Sequence, residues 1–314
     1  MDQRPLGRSG LTTAPWAFGG NIFGWTVDEA AAFTLLDAFV DEGFNLIDTA
    51  DFYSRWLPGH VGGESERIIG AWLAARPGVR EKVLLSTKVG LLEPNKGLTA
   101  ASIIGGAEAS LKRFGADHID LYLSHRDDLT TPAEETVEAF DRLVRAGKVR
   151  AAGASNYEAG RLAEALDTAA AKGMARYEAL QPLYNLMDRG IEADLVPLCL
   201  EREVAITPYY ALAAGFLTGK YRSEADLKGG ARDGTVARYL DPKGMAVLAA
   251  LDAVAEAHAA KPAQVALAWL MAKPGVAAAI ASATSLDQLK DLAGAARLKL
   301  AAEDMARLDG VSAA

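Results

Sequence analysis

Short apolar runs rich in β-branched residues alternate along the chain with longer segments whose apolar positions recur at helical spacing. The runs are Trp16 to Phe18, Phe44 to Thr49, Val83 to Thr87, Ile119 to Ser124, Val149 to Ala154, Tyr177 to Gln181, Val204 to Pro208 and Val276 to Ala281. Each is too short for a stable helix and fits a buried strand. The first intervening segment reads as a helix opened by a capping box, Thr26-Val27-Asp28-Glu29, burying Phe33, Leu36, Phe39 and Val40 and stopping at Gly43. Thr131-Pro132-Ala133-Glu134 opens another that ends at Gly147, and Ser155-Asn156-Tyr157-Glu158 opens a third directly after a strand. Eight strands separated by helices predict an α/β protein, a (β/α)8 TIM barrel forming a single domain over residues 1–314, rather than an open doubly wound sheet. No GxGxxG follows the first strand to argue otherwise. The interval from Pro208 to Gly275, after the seventh strand, exceeds one repeat, so it predicts helices plus a long loop, most polar from Ser223 to Arg238, placed to act as a lid.

Composition narrows the function classes. Half of the 314 residues are hydrophobic and there is one cysteine, Cys199, which fits a large core in a reducing compartment. The opening Met1-Asp2-Gln3-Arg4-Pro5 lacks an apolar signal segment, and no uncharged apolar run approaches the roughly 18 residues needed to span a bilayer. The expectation is a soluble cytoplasmic protein without a membrane partner. With 33 basic against 41 acidic residues, a net charge of −8 and no basic cluster interleaved with aromatics, nucleic acid is not an expected partner.

Barrel enzymes take their catalytic groups from the C-terminal ends of several strands. Here the second run delivers Asp48, the third ends Ser86-Thr87-Lys88 and the fourth Leu123-Ser124-His125. Alternation places Phe44, Leu46 and Asp48 on one side, as it does Leu84, Ser86 and Lys88, and Leu121, Leu123 and His125. Tyr53, in the loop after Asp48, can fold back over the same mouth. A lysine ammonium beside Tyr53 is expected to lower the phenol's pKa, while Asp48 keeps the lysine charged, so Tyr53 becomes a proton donor or acceptor toward a carbonyl oxygen oriented by His125. No Ser or Cys is activated as a nucleophile, and His60, His118 and His258 have no metal-ligand spacing, so no metal is expected. Hydride from a nicotinamide fits the gap.

Together these segments resemble the aldo-keto reductases over essentially the whole length, in the bacterial branch similar to potassium-channel β subunits. The matching pieces include Pro5-Leu6-Gly7-Arg8-Ser9-Gly10-Leu11, Asp48-Thr49-Ala50-Asp51-Phe52-Tyr53, Gly63-Glu64-Ser65-Glu66, Ser86-Thr87-Lys88, Asp120 to His125, Gly153-Ala154-Ser155-Asn156, Gln181-Pro182-Leu183-Tyr184-Asn185 and Leu217-Thr218-Gly219-Lys220-Tyr221. The resemblance implies a catalytic tetrad of Asp48, Tyr53, Lys88 and His125. It implies that Ser155, Asn156 and Gln181 hold the nicotinamide carboxamide and Tyr209 stacks on its ring. Gly20 and Asn21 would line the cofactor near the first strand, Leu212, Gly215 and Lys220 the diphosphate, and Ser282, Thr284 and Gln288 the adenosine end.

Blander roles are open for several of these residues. Ser155 suits an N-cap, and Ser285-Leu286-Asp287-Gln288 reads as a capping box. Two departures from the familiar pattern stand out: Tyr210 where many relatives have Ser, and Thr284 where an arginine commonly meets the 2′-phosphate. The implied cofactor is NADP(H), with NAD(H) possible. The implied substrate is a small carbonyl compound, with Trp25 and Trp56 walling an apolar pocket suited to aromatic or medium aliphatic aldehydes. An aldolase-type Schiff base at Lys88 would need the uncharged amine that Asp48 disfavours. A cofactor-binding regulatory subunit with little turnover is the other class to separate. Oligomeric state is not legible.

Overall fold

The computed structural model describes residues 2–313. The chain opens with a hairpin of two short strands, β1 (Arg4–Pro5) and β2 (Thr12–Thr13). The eight strands that follow are all parallel: β3 (Trp16–Gly19), β4 (Leu46–Asp48), β5 (Leu84–Val89), β6 (Ile119–Ser124), β7 (Val149–Ser155), β8 (Tyr177–Gln181), β9 (Ala205–Ile206) and β10 (Ala279–Ala281). Seven pairings run in the order β10-β3-β4-β5-β6-β7-β8-β9. The ring is closed by Ile206 N–H donating to Gly275 O (2.8 Å), Ala277 N–H to Ile206 O (2.9 Å) and Ile280 N–H to Pro208 O (2.9 Å). All eight expected strands are present, in the (β/α)8 arrangement.

The strand alternation divides the core in two. Ala17, Leu46, Leu84, Leu121, Leu123, Ala151, Ala179 and Ala205 fill the narrow barrel interior, and a larger cluster lies between strands and helices. Leucines from some strands meet alanines from others, which fits a closed barrel interior. Leu6 and Leu11 of the opening hairpin belong to the inner cluster, so the hairpin plugs one end of the barrel. Its turn needs glycine: Gly7 has φ +59°, and a Cβ there would stand 2.4 Å from Glu178 O. Phe44 is a correction to the expected alternation. It belongs to the outer cluster, 4.8 Å from Trp16 and 5.5 Å from Phe39 between ring centroids, because the strand proper starts only at Leu46.

Helices α1 (Glu29–Asp41), α2 (Glu64–Ala75), α3 (Ala100–Phe114), α4 (Ala133–Arg145), α5 (Ala159–Lys172) and α6 (Leu195–Glu201) follow successive strands. Three helix starts differ from expectation. Asp28, not Thr26, caps α1, accepting from Ala31 N–H, and the buried stripe is Ala32, Leu35, Leu36 and Phe39, with Phe33 and Val40 half-buried. Pro132 is the N-cap of α4, while the Thr131 hydroxyl donates to Asp128 Oδ2 (2.7 Å). Glu158 precedes α5, which releases Ser155 from capping.

After β9 the chain makes a long excursion. Tyr210, Ala213 and Ala214 have positive φ, and Gly215 sits at φ +100°, inside an irregular 3-10 segment, Ala213–Thr218. The polar stretch expected to be loop carries a further turn at Glu224–Asp226, the one-turn α7 (Asp233–Val236) and a turn at Ala237–Tyr239. It is tied down by Tyr239 OH donating to Asp188 Oδ2 (2.8 Å) and by the Arg222–Asp252 ion pair. Then come α8 (Pro242–Ala257), α9 (Pro262–Met271), and, after β10, α10 (Leu286–Ala295) and α11 (Ala302–Ser312). No helix among the described residues is long and apolar enough to cross a membrane.

Candidate active site

Strand register brings the polar strand ends together. Gly19 lies opposite Asp48, Asp48 opposite Ser86, Lys88 opposite Leu123, and Ser155 opposite Gln181. Lys88 is completely enclosed, and its ammonium uses all three donors: to Asp48 Oδ2 (2.7 Å), Thr49 O (2.7 Å) and the Tyr53 hydroxyl (3.3 Å). The other Asp48 oxygen accepts from Ser86 Oγ (2.9 Å) and Gln181 Nε2 (2.9 Å). Both carboxylate oxygens are therefore engaged, as a buried charge requires. The ring of His125 meets Tyr53 edge-on at 5.9 Å. Asp48, Tyr53, Lys88 and His125 thus converge at one mouth.

The electrostatics correct one expectation. Burial pushes the Tyr53 phenol above its ordinary value; Lys88 pulls it down, but not enough to offset burial and the Asp48 charge. Tyr53 is a neutral phenol near pH 7. Burial works against the Lys88 charge, yet Asp48 and Tyr53 outweigh it and the ammonium is held above its usual range. His125 is pushed well below its ordinary value by burial and then by Lys88 and Arg126, so its ring is uncharged, with Nδ1 buried and unpartnered. The mouth thus holds a neutral acid, a fixed cation behind it, and a neutral imidazole beside it.

Three further groups stand at this network. Ser86 has the parity of Lys88 and was accessible from the pattern; the Thr49 carbonyl was not, because backbone acceptors carry no side-chain signal. Asp51 is buried, its carboxyl raised well above the usual range by burial and by the neighbouring Glu66, with Oδ1 unpartnered.

The residues implied for a cofactor fall into linked groups. Ser155 Oγ donates to Gln181 O (2.8 Å); Asn156, at φ +56°, donates to His125 O (3.0 Å) and Ser155 Oγ (3.0 Å). The Tyr209 hydroxyl donates to Asn156 Oδ1 (2.8 Å). Tyr209 is thereby joined to the Ser155–Gln181 cluster, with the exposed Tyr210 beside it at 5.3 Å. Gly20 is packed so closely that a Cβ would stand 3.1 Å from Asp48 O. Ser282 Oγ donates to Gly19 O (2.6 Å) and lies 3.0 Å from Asn21 Oδ1, so Ser282 sits with Asn21. Ser285 caps α10, but Gln288 Oε1 accepts from Thr284 N–H (2.9 Å) and Oγ1 (3.1 Å), so the expected box closes one residue early. Leu212 is half-buried, and the exposed Lys220 lies 4.9 Å over the Tyr221 ring, near Gly215. Trp25 and Trp56 meet edge-on at 5.4 Å, and Trp56 lies 5.8 Å from Tyr53. No group of three metal-ligating side chains occurs among the described residues.

Residues 15–313 match the sequence model of the Aldo/keto reductase family. The chain belongs to that family, and membership supports an oxidoreductase. It is 34% identical over 320 residues to "Uncharacterized oxidoreductase YrpG" of Bacillus subtilis, covering 99% of this chain and 96% of that protein. It is 34% identical over 305 residues to "Aldo-keto reductase YhdN" of the same organism, covering 95% and 87%. A "Probable voltage-gated potassium channel subunit beta" of Arabidopsis thaliana is 31% identical over 301 residues, covering 93% and 90%.

Proposed function

We propose that this protein reduces small aldehydes and ketones to alcohols with NADP(H), Tyr53 giving the proton to the carbonyl oxygen. The observation that carries this reading is the buried Lys88 ammonium donating to both Asp48 and the Tyr53 hydroxyl, with the His125 ring against Tyr53. The donor set fits a dinucleotide: hydroxyl and amide groups of Ser155, Asn156 and Gln181 cluster at two adjoining strand ends, and the backbone at Gly215 (φ +100°) is open beside Lys220. Gly20, Asn21, Tyr209, Leu212, Ser282, Thr284 and Gln288 would complete that site. When bound, the reduced nicotinamide supplies hydride to the carbonyl carbon.

The chain's own residues then have distinct tasks. The neutral Tyr53 hydroxyl donates a hydrogen bond to the carbonyl oxygen and yields its proton as charge develops there. Lys88 stabilises the phenolate left behind, and Asp48 keeps Lys88 charged and aimed. Neutral His125 orients the oxygen without competing for that proton. Trp25 and Trp56 offer the apolar wall for the rest of the substrate. The single buried Cys199 suits a reducing, cytoplasmic setting. The channel-subunit relative points to a second reading, a cofactor-binding sensor with little turnover. Oxidation of NADPH and NADH is followed with a panel of aromatic and aliphatic aldehydes: turnover at ordinary enzyme rates supports the reductase, whereas tight cofactor binding without oxidation favours the sensor.

A further inference from the structure

Arginines on this acidic surface are mostly matched to carboxylates: Arg161 to Asp127, Arg189 to Glu192, Arg202 to Asp167 and Arg222 to Asp252. Arg232, on the long excursion immediately before α7, differs. It is half-buried, yet among the described residues it forms no ion pair and no side-chain hydrogen bond. Its guanidinium lies 5.8 Å over the Trp25 ring. A guanidinium resting on an aromatic face is fixed in plane while its N–H edges remain available for a bidentate acceptor.

The position of that edge is informative. Trp25 meets Trp56, and Trp56 meets Tyr53, so a continuous aromatic wall runs from Arg232 to the proposed proton donor. Tyr210, the residue that departs from the family pattern, lies beside Tyr209 at 5.3 Å between ring centroids. The exposed Arg126 adds a second positive charge near His125 and Tyr209. An unpaired, preoriented cation at the far end of an apolar wall is suited to a substrate with a carbonyl at one end, an apolar body and an anion at the other.

We infer that Arg232 is the anion-binding arm of the substrate site, and that the preferred substrates are aldehydes carrying a carboxylate on an aromatic or aliphatic body. This rests on the reductase reading. The carboxylate pairs with the guanidinium, and the body lies along Trp25 and Trp56 with the carbonyl at Tyr53. The test compares 4-formylbenzoate and 3-(4-formylphenyl)propanoate, which differ in reach, with their methyl esters. In the wild type, kcat/KM should favour at least one acid over its ester by about tenfold or more, chiefly through KM, as a charge-assisted pair provides. In Arg232→Gln the acid-to-ester ratio should collapse toward one, and Arg232→Lys should keep part of it. An acid-to-ester ratio near one in the wild type, with both compounds reduced, overturns the inference and leaves the reductase standing. A ratio unchanged in Arg232→Gln with weakened NADPH binding overturns it too, and assigns the arginine to the cofactor. Reduction of neither acid nor ester by a cofactor-loaded protein is the failure of the reductase reading itself and takes the inference with it.

Discussion

Lys88 is the residue on which the site's electrostatics turn. It is the cation that lowers the Tyr53 phenol against burial and Asp48. Replacing it with methionine should therefore drive the Tyr53 pKa further up. Alcohol oxidation, which needs the phenolate, should then require a pH higher by about one unit or more, while carbonyl reduction keeps its protonated donor but loses stabilisation of the anion formed. An oxidation profile that does not move, with activity intact, would remove Lys88 from the mechanism. The substitution also strands Asp48 as a buried unpaired charge, a loss of about 3–5 kcal/mol. The double variant Asp48→Asn/Lys88→Met serves as the stability control. The convergence of Asp48, Lys88 and His125 was legible because strand parity and strand ends are local properties. The direction of the Tyr53 shift was not, because it depends on how deeply the loop buries the ring.

At the scale of elements, short apolar runs announced all eight barrel strands, whereas the opening hairpin escaped notice. Two-residue strands have no readable period, and what makes β1 and β2 matter is the insertion of Leu6 and Leu11 into the barrel core. Capping boxes were less legible than strands. Asp28 displaced Thr26 as the side-chain cap of α1, and α5 starts after Glu158 with no side-chain cap, since packing fixes where each helix begins. The excursion from Ala213 to Tyr239 is anchored at its ends by Phe216, Leu217, Val236, Tyr239 and the Arg222–Asp252 pair, while Ser223 to Thr235 holds no buried residue. If it closes over the diphosphate, saturating NADPH should slow limited proteolysis within Ser223 to Arg238 by several-fold or more; cleavage at equal rates with and without cofactor would speak against a lid.

At the scale of the whole molecule, a chain of net charge −8 that holds a multiply charged dinucleotide, as proposed, would rely on local cations and helix ends for the attraction. Thr284 stands where an arginine would help, and its hydroxyl already donates to Gln288, as that of Ser282 does to Gly19. NADP(H) should accordingly be preferred by a modest margin, and Thr284→Arg should widen that preference by roughly tenfold or more, the worth of one charge-assisted hydrogen bond. Fluorescence titration of both reduced cofactors checks this: tighter NADH binding reverses the preference, and no gain in the variant shows that position 284 does not meet the 2′-phosphate.

Proton delivery from Tyr53 to a carbonyl oxygen at the barrel mouth, as proposed, joins these scales. It is tested most directly by single-turnover hydride transfer in Tyr53→Phe, with cofactor affinity titrated in parallel. Loss of the hydroxyl should slow the step by at least about a hundredfold while cofactor binding is kept, because general acid help is typically worth that much. A rate near that of the wild type, with cofactor bound, would contradict the assignment of Tyr53 as the acid.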